Sequence, residues 1–186
     1  MRMPPLMPAQ RSSAQRAAAD ELIAGPRKGV KGPFIALLRS PELLVRLQKV
    51  GEFLRFGSSL PPRASEFATL IVARAYTQQF EWFTHVPLAL KAGTAQATID
   101  ALREGRIPAT MDADEHLVHA FATEVLTEHG ASDETYRRVV ERFGEAGVIE
   151  LTSLIGYFAL VSLVLNVAQT PEEPNAAVTR LEPLSR

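Results

Sequence analysis

The chain has 186 residues, 46% of them hydrophobic, which suffices for one domain with a substantial core. Its net charge of −1, from 20 basic and 21 acidic residues, gives no basic excess with which to bind nucleic acid or an anionic membrane surface. Cysteine is absent, which excludes disulfides, thiolate metal sites and thiol redox chemistry within this chain.

Residues 1–9 hold Pro4, Pro5 and Pro8 and are expected to be disordered or extended. They contain no continuous apolar run of the kind a secretory signal needs. A first helix is predicted from about Ser12 to Ala24, closed by Gly25-Pro26. Gly25 to Gly32 reads as a basic, glycine-containing loop carrying Arg27, Lys28 and Lys31. A short helical turn follows at Phe34 to Leu38. Ser40-Pro41-Glu42 then has the order of a helix start, with a Ser N-cap, Pro at the first position and an early acid. That helix carries Leu44, Leu47, Val50 and Leu54 and stops at Gly57.

Pro61-Pro62 opens a helix that reaches about Tyr76. The next holds Gln78 to Ala92 and ends at Gly93, and another runs from about Ala95 to Arg103. Asp112 and Glu115 form an Asp-type capping box, after which Leu117, Val118, Phe121, Ala122 and Val125 share one face. Ser132 caps a helix with Tyr136, Val139, Val140 and Phe143 at helical spacing, and Gly144 ends it. The last helix spans about Ala146 to Ala168. Its segment Val148 to Val167 is about as long as a membrane span. Glu150, Thr152, Ser153 and Asn166 interrupt it, so it reads as a helix buried in the core or in a subunit interface. Residues 170–186 form a polar, proline-containing tail expected to be loose. No stretch alternates as a half-buried strand does, so the fold class is all-α, with one helical domain over 10–169.

Glu66, Glu81 and His85 stand out because they sit in otherwise apolar helices, among Phe67, Leu70, Ile71, Val72, Trp82, Phe83 and Val86. Buried charge is costly without partners, and a carboxylate and an imidazole in such surroundings suit acid–base chemistry. Gln78, Glu81 and His85 are spaced to share one helix face. A plain surface pair of Glu81 with His85 is the alternative. Glu66 falls in the first turn of its helix, where it also suits the helix dipole or a local pair with Arg63. Pro87 removes a backbone bond just after His85, which either opens a pocket there or serves packing alone. His116 and His119 have a metal-compatible spacing, but His116 points away from the apolar face and a solvated acidic helix is the better reading. The basic loop at 27–31, Arg103 and Arg106 could attract an anion; ordinary surface charge is the default.

The run LPPRASE, a helix, FEWFTHVPLALKAG and then IDALREG resembles the carboxymuconolactone decarboxylase family, which includes the alkylhydroperoxidase-D-like proteins. The resemblance is strongest over Leu60 to Gly105 and extends more weakly from Ser40 to the last helix. It implies an all-α bundle around a core helical hairpin, assembled as trimers or hexamers. In the peroxidase branch a Glu on the first hairpin helix faces a CxxC pair and a following His on the second. Carried onto this chain, the Glu matches Glu66, the cysteines fall on Gln78 and Glu81, and the His matches His85. Both sulfurs are missing, so thiol-dependent peroxidase turnover is excluded.

The decarboxylase branch needs no thiol. What the resemblance implies is a cytoplasmic, cofactor-free, metal-free lyase of aromatic catabolism. It would transfer a proton to a small lactone or keto acid, and would bind neither nucleic acid nor membrane. His85 would be the proton donor, Glu81 and Glu66 its partners, and Gln78, Arg63 and Trp82 the substrate-binding candidates. Two other readings stay open: a peroxidase-related protein that has lost its thiols, and a non-catalytic binding or assembly protein. A site filled by Trp82 and Phe83 would point to a purely structural role.

Overall fold

A computed structural model describes residues 1–172 and 175–183. Among these residues there are eight α-helices and no strand: α1 (Ser13–Ala24), α2 (Pro33–Leu37), α3 (Pro41–Phe56), α4 (Pro62–Ala75), α5 (Gln79–Ala92), α6 (Gln96–Arg103), α7 (Ala113–Glu128) and α8 (Asp133–Ala168). A single 3-10 turn at Pro8–Gln10 precedes them.

α4 is apolar nearly all round and is therefore the central helix, with α5, α7 and α8 packed on it. Phe67, Ala68, Leu70 and Val72 of α4 are buried against Trp82 and Val86 of α5, Val118 and Phe121 of α7, and Leu151, Leu154 and Phe158 of α8. A tight turn joins α4 to α5, so the two form a hairpin. Gln78 N–H donates to the Ala73 carbonyl at 2.8 Å, and Gln78 Oε1 caps α5 by accepting from Phe80 N–H at 2.7 Å. A smaller core made by Ala18, Ala19, Leu22, Phe34, Leu37, Leu38 and Leu44 joins α1, α2 and α3. α2 and α3 lean on α8.

The helix punctuation follows the sequence closely. Asp112 and Glu115 form a reciprocal capping box at the start of α7. α8 is broken at Gly144, whose φ of 73° and ψ of 172° interrupt the helix where the glycine was expected to end it. Ser40 occupies the N-cap of α3, but its hydroxyl caps no backbone group. Glu66 lies beyond the first turn of α4, because that helix starts at Pro62.

The terminal segments are held against the bundle. Residues 1–9, expected to be disordered or extended, run extended to the turn at Pro8: Arg2 N–H donates to the Ala168 carbonyl at 2.8 Å, and Arg39 donates to the Pro4 carbonyl at 2.7 Å. In the tail, expected to be loose, Leu181 is 1% exposed. It exchanges hydrogen bonds with the Gln79 side chain at 2.5 and 3.2 Å. The physical reason is the buried indole of Trp82, whose N–H needs an acceptor and finds the Thr179 carbonyl at 3.0 Å. The remainder of that expected loose tail, 173–174 and 184–186, lies outside the described residues.

The apolar window of α8, with mean hydropathy 2.1, is long enough to cross a membrane, and 50% of it is buried within this chain. Leu160, Leu163 and Val167 form an exposed apolar stripe on its outer side, with exposed Ile149 three turns earlier beyond Thr152, Ser153 and Gly156.

Candidate functional site

The α4–α5 hairpin brings Glu66 and His85 face to face. His85 Nδ1 lies 2.6 Å from Glu66 Oε2, and His85 Nε2 lies 3.4 Å from Glu81 Oε2. Each ring nitrogen of the imidazole therefore has its own carboxylate, one from the facing helix and one from the preceding turn of its own helix. His85 is 2% exposed and Glu81 4%, whereas the Glu66 side chain keeps 18%. The edge of Phe158 meets the imidazole at 5.0 Å and an interplanar angle of 84°, which fixes the ring from α8.

Burial pulls the His85 pKa down, but the hydrogen bonds and charges of Glu66 and Glu81 outweigh it, and the net shift is upward from 6.5. The site is thus built to hold an imidazolium. Such a group donates both N–H bonds and carries a proton available to a bound reactant.

His85 forms part of the wall of two cavities. One, of about 250 Å³, is also lined by Glu81, Thr84, Arg27, Arg55 and Tyr157. The other, of about 200 Å³, is lined on the opposite side by Glu66, Ser58, Ser65 and Thr69. Arg55, Phe56 and Phe158 belong to both.

The substrate-binding candidates separate from this site. Arg63 turns away from Glu66 and grips Glu115 through Nε at 2.9 Å and Nη2 at 3.0 Å, with Asp112 at 2.7 Å. It braces α4 against the start of α7 and lines neither cavity. Glu115, 0% exposed, is the reason: a fully buried carboxylate demands a cationic partner more strongly than the partly exposed Glu66, which already has His85. Trp82, also 0% exposed, is a core residue tied to the tail and lines neither cavity. Gln78 caps α5 and donates to Asn166 Oδ1 at 2.7 Å, which joins the hairpin turn to α8. Pro87 lies on the exposed side of α5 and lines neither cavity.

Of three further residues at the site, Arg55 and Tyr157 were passed over in the sequence and Arg27 was assigned to ordinary surface charge. Arg27, from the basic loop, reaches the larger cavity, donates to Tyr157 Oη at 3.3 Å and stacks 4.5 Å from the Phe34 ring centroid. Arg55 comes from α3 and Tyr157 from α8. The basic character of residues 27–31 was the available signal, but charge in a loop does not reveal what the loop covers. Among the described residues, no cluster of three or more His, Cys, Asp or Glu could hold a metal ion. Burial first and the neighbouring His116 charge second lower the pKa of His119.

No family model matches this chain, and no curated protein is detectably similar to it.

Proposed function

We propose that the chain is a cofactor-free acid–base enzyme, a lyase of the carboxymuconolactone decarboxylase type acting on a small lactone or keto acid. The observation that carries this reading is the His85 imidazole held between Glu66 and Glu81 in the wall of a cavity. The hairpin of α4 and α5, with a glutamate on one helix facing a histidine on the other, is also what an alkylhydroperoxidase-D-like bundle would present. Trp82 and Phe83 line neither cavity, so the space beside His85 is left free for a ligand.

In the proposed reaction, the bond between the substrate and its departing carboxylate breaks and CO₂ leaves. The electron pair moves into the conjugated carbonyl of the substrate. His85 delivers its proton to the resulting carbanion or enolate, and solvent then restores the imidazolium. Glu81 and Glu66 keep the ring oriented and charged throughout. We further propose a cytoplasmic homo-oligomer, a trimer or hexamer, that covers the outer stripe of α8.

The decisive experiment screens purified protein against lactones and keto acids for CO₂ release. Turnover that disappears in His85→Ala supports the reading. Tight ligand binding without any turnover would replace it with a non-catalytic binding protein.

A further inference from the structure

The larger cavity has an uneven charge balance. Arg27, Lys31, Arg55 and the His85 imidazolium contribute to its wall, against Glu81 as the one carboxylate there. Arg27 and Arg55 take part in no ion pair among the described residues, and each has a buried Nε without a hydrogen-bond partner. Burial, the leading influence, lowers the Arg27 pKa, and the nearby Arg55 charge adds to it. Guanidinium groups are normally buried with planar anions, which they bind bidentately. Here Glu81 and Glu52 act on Arg27 only at longer range, and among the described residues no carboxylate pairs with either guanidinium.

The position of Arg27 is built into the fold. Gly51, in the middle of α3, lies where Tyr157 and Arg27 meet: a Cβ there would come within 2.2 Å of Tyr157 Oη and 2.7 Å of Arg27 Nη2. A glycine inside a helix costs about 1 kcal/mol relative to alanine, and here it makes room for the pair. Gly32, at φ +53°, seats the other end of the loop, since a Cβ there would sit 2.3 Å from the Phe80 ring. The loop is thus locked onto α3 and α5 with Arg27 in the cavity wall. The remaining wall is largely aromatic, with Phe34, Phe56, Phe80 and Phe158.

We propose that this cavity is a carboxylate-binding site in which Arg27 and Arg55 together hold the carboxylate of a small, unsaturated or ring-bearing organic acid, with His85 in the same wall. The aromatic residues pack against the flat body of the ligand. The cavity, at about 250 Å³, suits an acid with a single ring and is too small for a nucleotide-bearing thioester. The carboxylate so held is an anchor and not the group that leaves, because the arginines stabilise it in the ground state. The inference rests on the acid–base reading only for which group reacts next to the anchored ligand.

The test is calorimetric titration of the full chain with benzoate and with benzamide, which has nearly the same shape and no charge. Benzoate is expected to bind at millimolar or lower concentration and benzamide about tenfold more weakly or not at all. Arg27→Gln and Arg55→Gln should each weaken benzoate by about tenfold or more, with melting curves showing that both variants remain folded. His85→Asn should abolish any turnover yet keep the preference for acid over amide, so loss of the enzymatic reading and loss of this one give different results. Equal binding of acid and amide, no benzoate binding at millimolar concentration, or folded Arg27→Gln and Arg55→Gln variants with unchanged affinity would each overturn the proposal.

Discussion

Glu66 Oε2 lies 2.6 Å from His85 Nδ1 across the hairpin, although 19 residues separate them in the chain. That contact, with Glu81 at the other ring nitrogen, makes protonation of His85 part of the folded state.

A pH dependence of stability follows. The folded pKa of His85 is raised above its ordinary value of 6.5, so its stabilising contribution is complete below that value and is lost as pH rises through the folded pKa. Urea denaturation of wild type and His85→Asn across this range should show a gap that narrows with rising pH. At the acidic end, the variant should be less stable by about 3 kcal/mol, because the carboxylates lose their shared partner. A gap that widens with pH would contradict the assignment of charge.

Where turnover is found, its rate should fall as pH rises through the His85 pKa. Glu81→Gln should move that fall to lower pH, since a neutral amide no longer favours the imidazolium. Peroxide consumption coupled to a dithiol donor should stay at background, because the chain has no cysteine. Pre-steady-state proton uptake and a peroxide assay measure the two outcomes.

Glu115 is expected to matter for stability and not for chemistry. It is fully buried, paired with Arg63, and caps α7. Glu115→Ala should cost about 2 kcal/mol in denaturant titration while leaving the pH profile of any turnover unmoved. A displaced profile would bring Arg63 back into the site.

Gly51→Ala tests the crossing of α3 and α8. Alanine gains about 1 kcal/mol in helix propensity, but its Cβ would collide with Tyr157 Oη at 2.2 Å. The collision should win, with a net loss of about 2 kcal/mol and a shift in the melting temperature. A stabilised variant would mean that Tyr157 and Arg27 move apart freely.

The exposed stripe of α8 should be covered by a second copy of the chain. Ile149, Leu160, Leu163 and Val167 are exposed at 67, 38, 50 and 58%; the last three cluster at the C-terminal end of the helix, beyond exposed Thr152, Ser153 and Gly156, and apolar clusters of this kind mark interfaces. Light scattering at micromolar concentration should give an oligomer for the wild type and a monomer for Leu160→Glu/Leu163→Glu. A monomeric wild type would leave the stripe without the proposed partner.

Local signals were read well from the chain and distant ones were not. The box at Asp112 and Glu115 and the break at Gly144 depend on a few neighbouring residues, and both are in place. Glu81 and His85 share a face for the same local reason. A local pair of Arg63 with Glu66 was one alternative and a substrate contact another, but its partner Glu115 lies 52 residues away and is more deeply buried, which only tertiary packing reveals. Arg27 meets Tyr157 over 130 residues, and Trp82 finds Thr179 over 97. No spacing rule reaches that far. The facing of Glu66 and His85 was suggested by resemblance and not by periodicity, because period places residues on faces without saying which faces meet.

The seating of the Arg27 loop has a consequence for how this chain can diverge. A side chain at position 32 or 51 would collide with Phe80 or with Tyr157 and Arg27, whereas Lys28 and Lys31 are exposed and make no ion pair among the described residues. Glu66, Glu81 and His85 all belong to α4 and α5, outside the loop. On the proposed reading, the Arg27 part of the ligand-holding wall lies on a piece of the polypeptide separable from the proton-transferring group, while Arg55 on α3 stays in place. Exchanging residues 26–31 while keeping both glycines would give a new selectivity on an unchanged reaction centre, and that makes the loop the natural module for redesign.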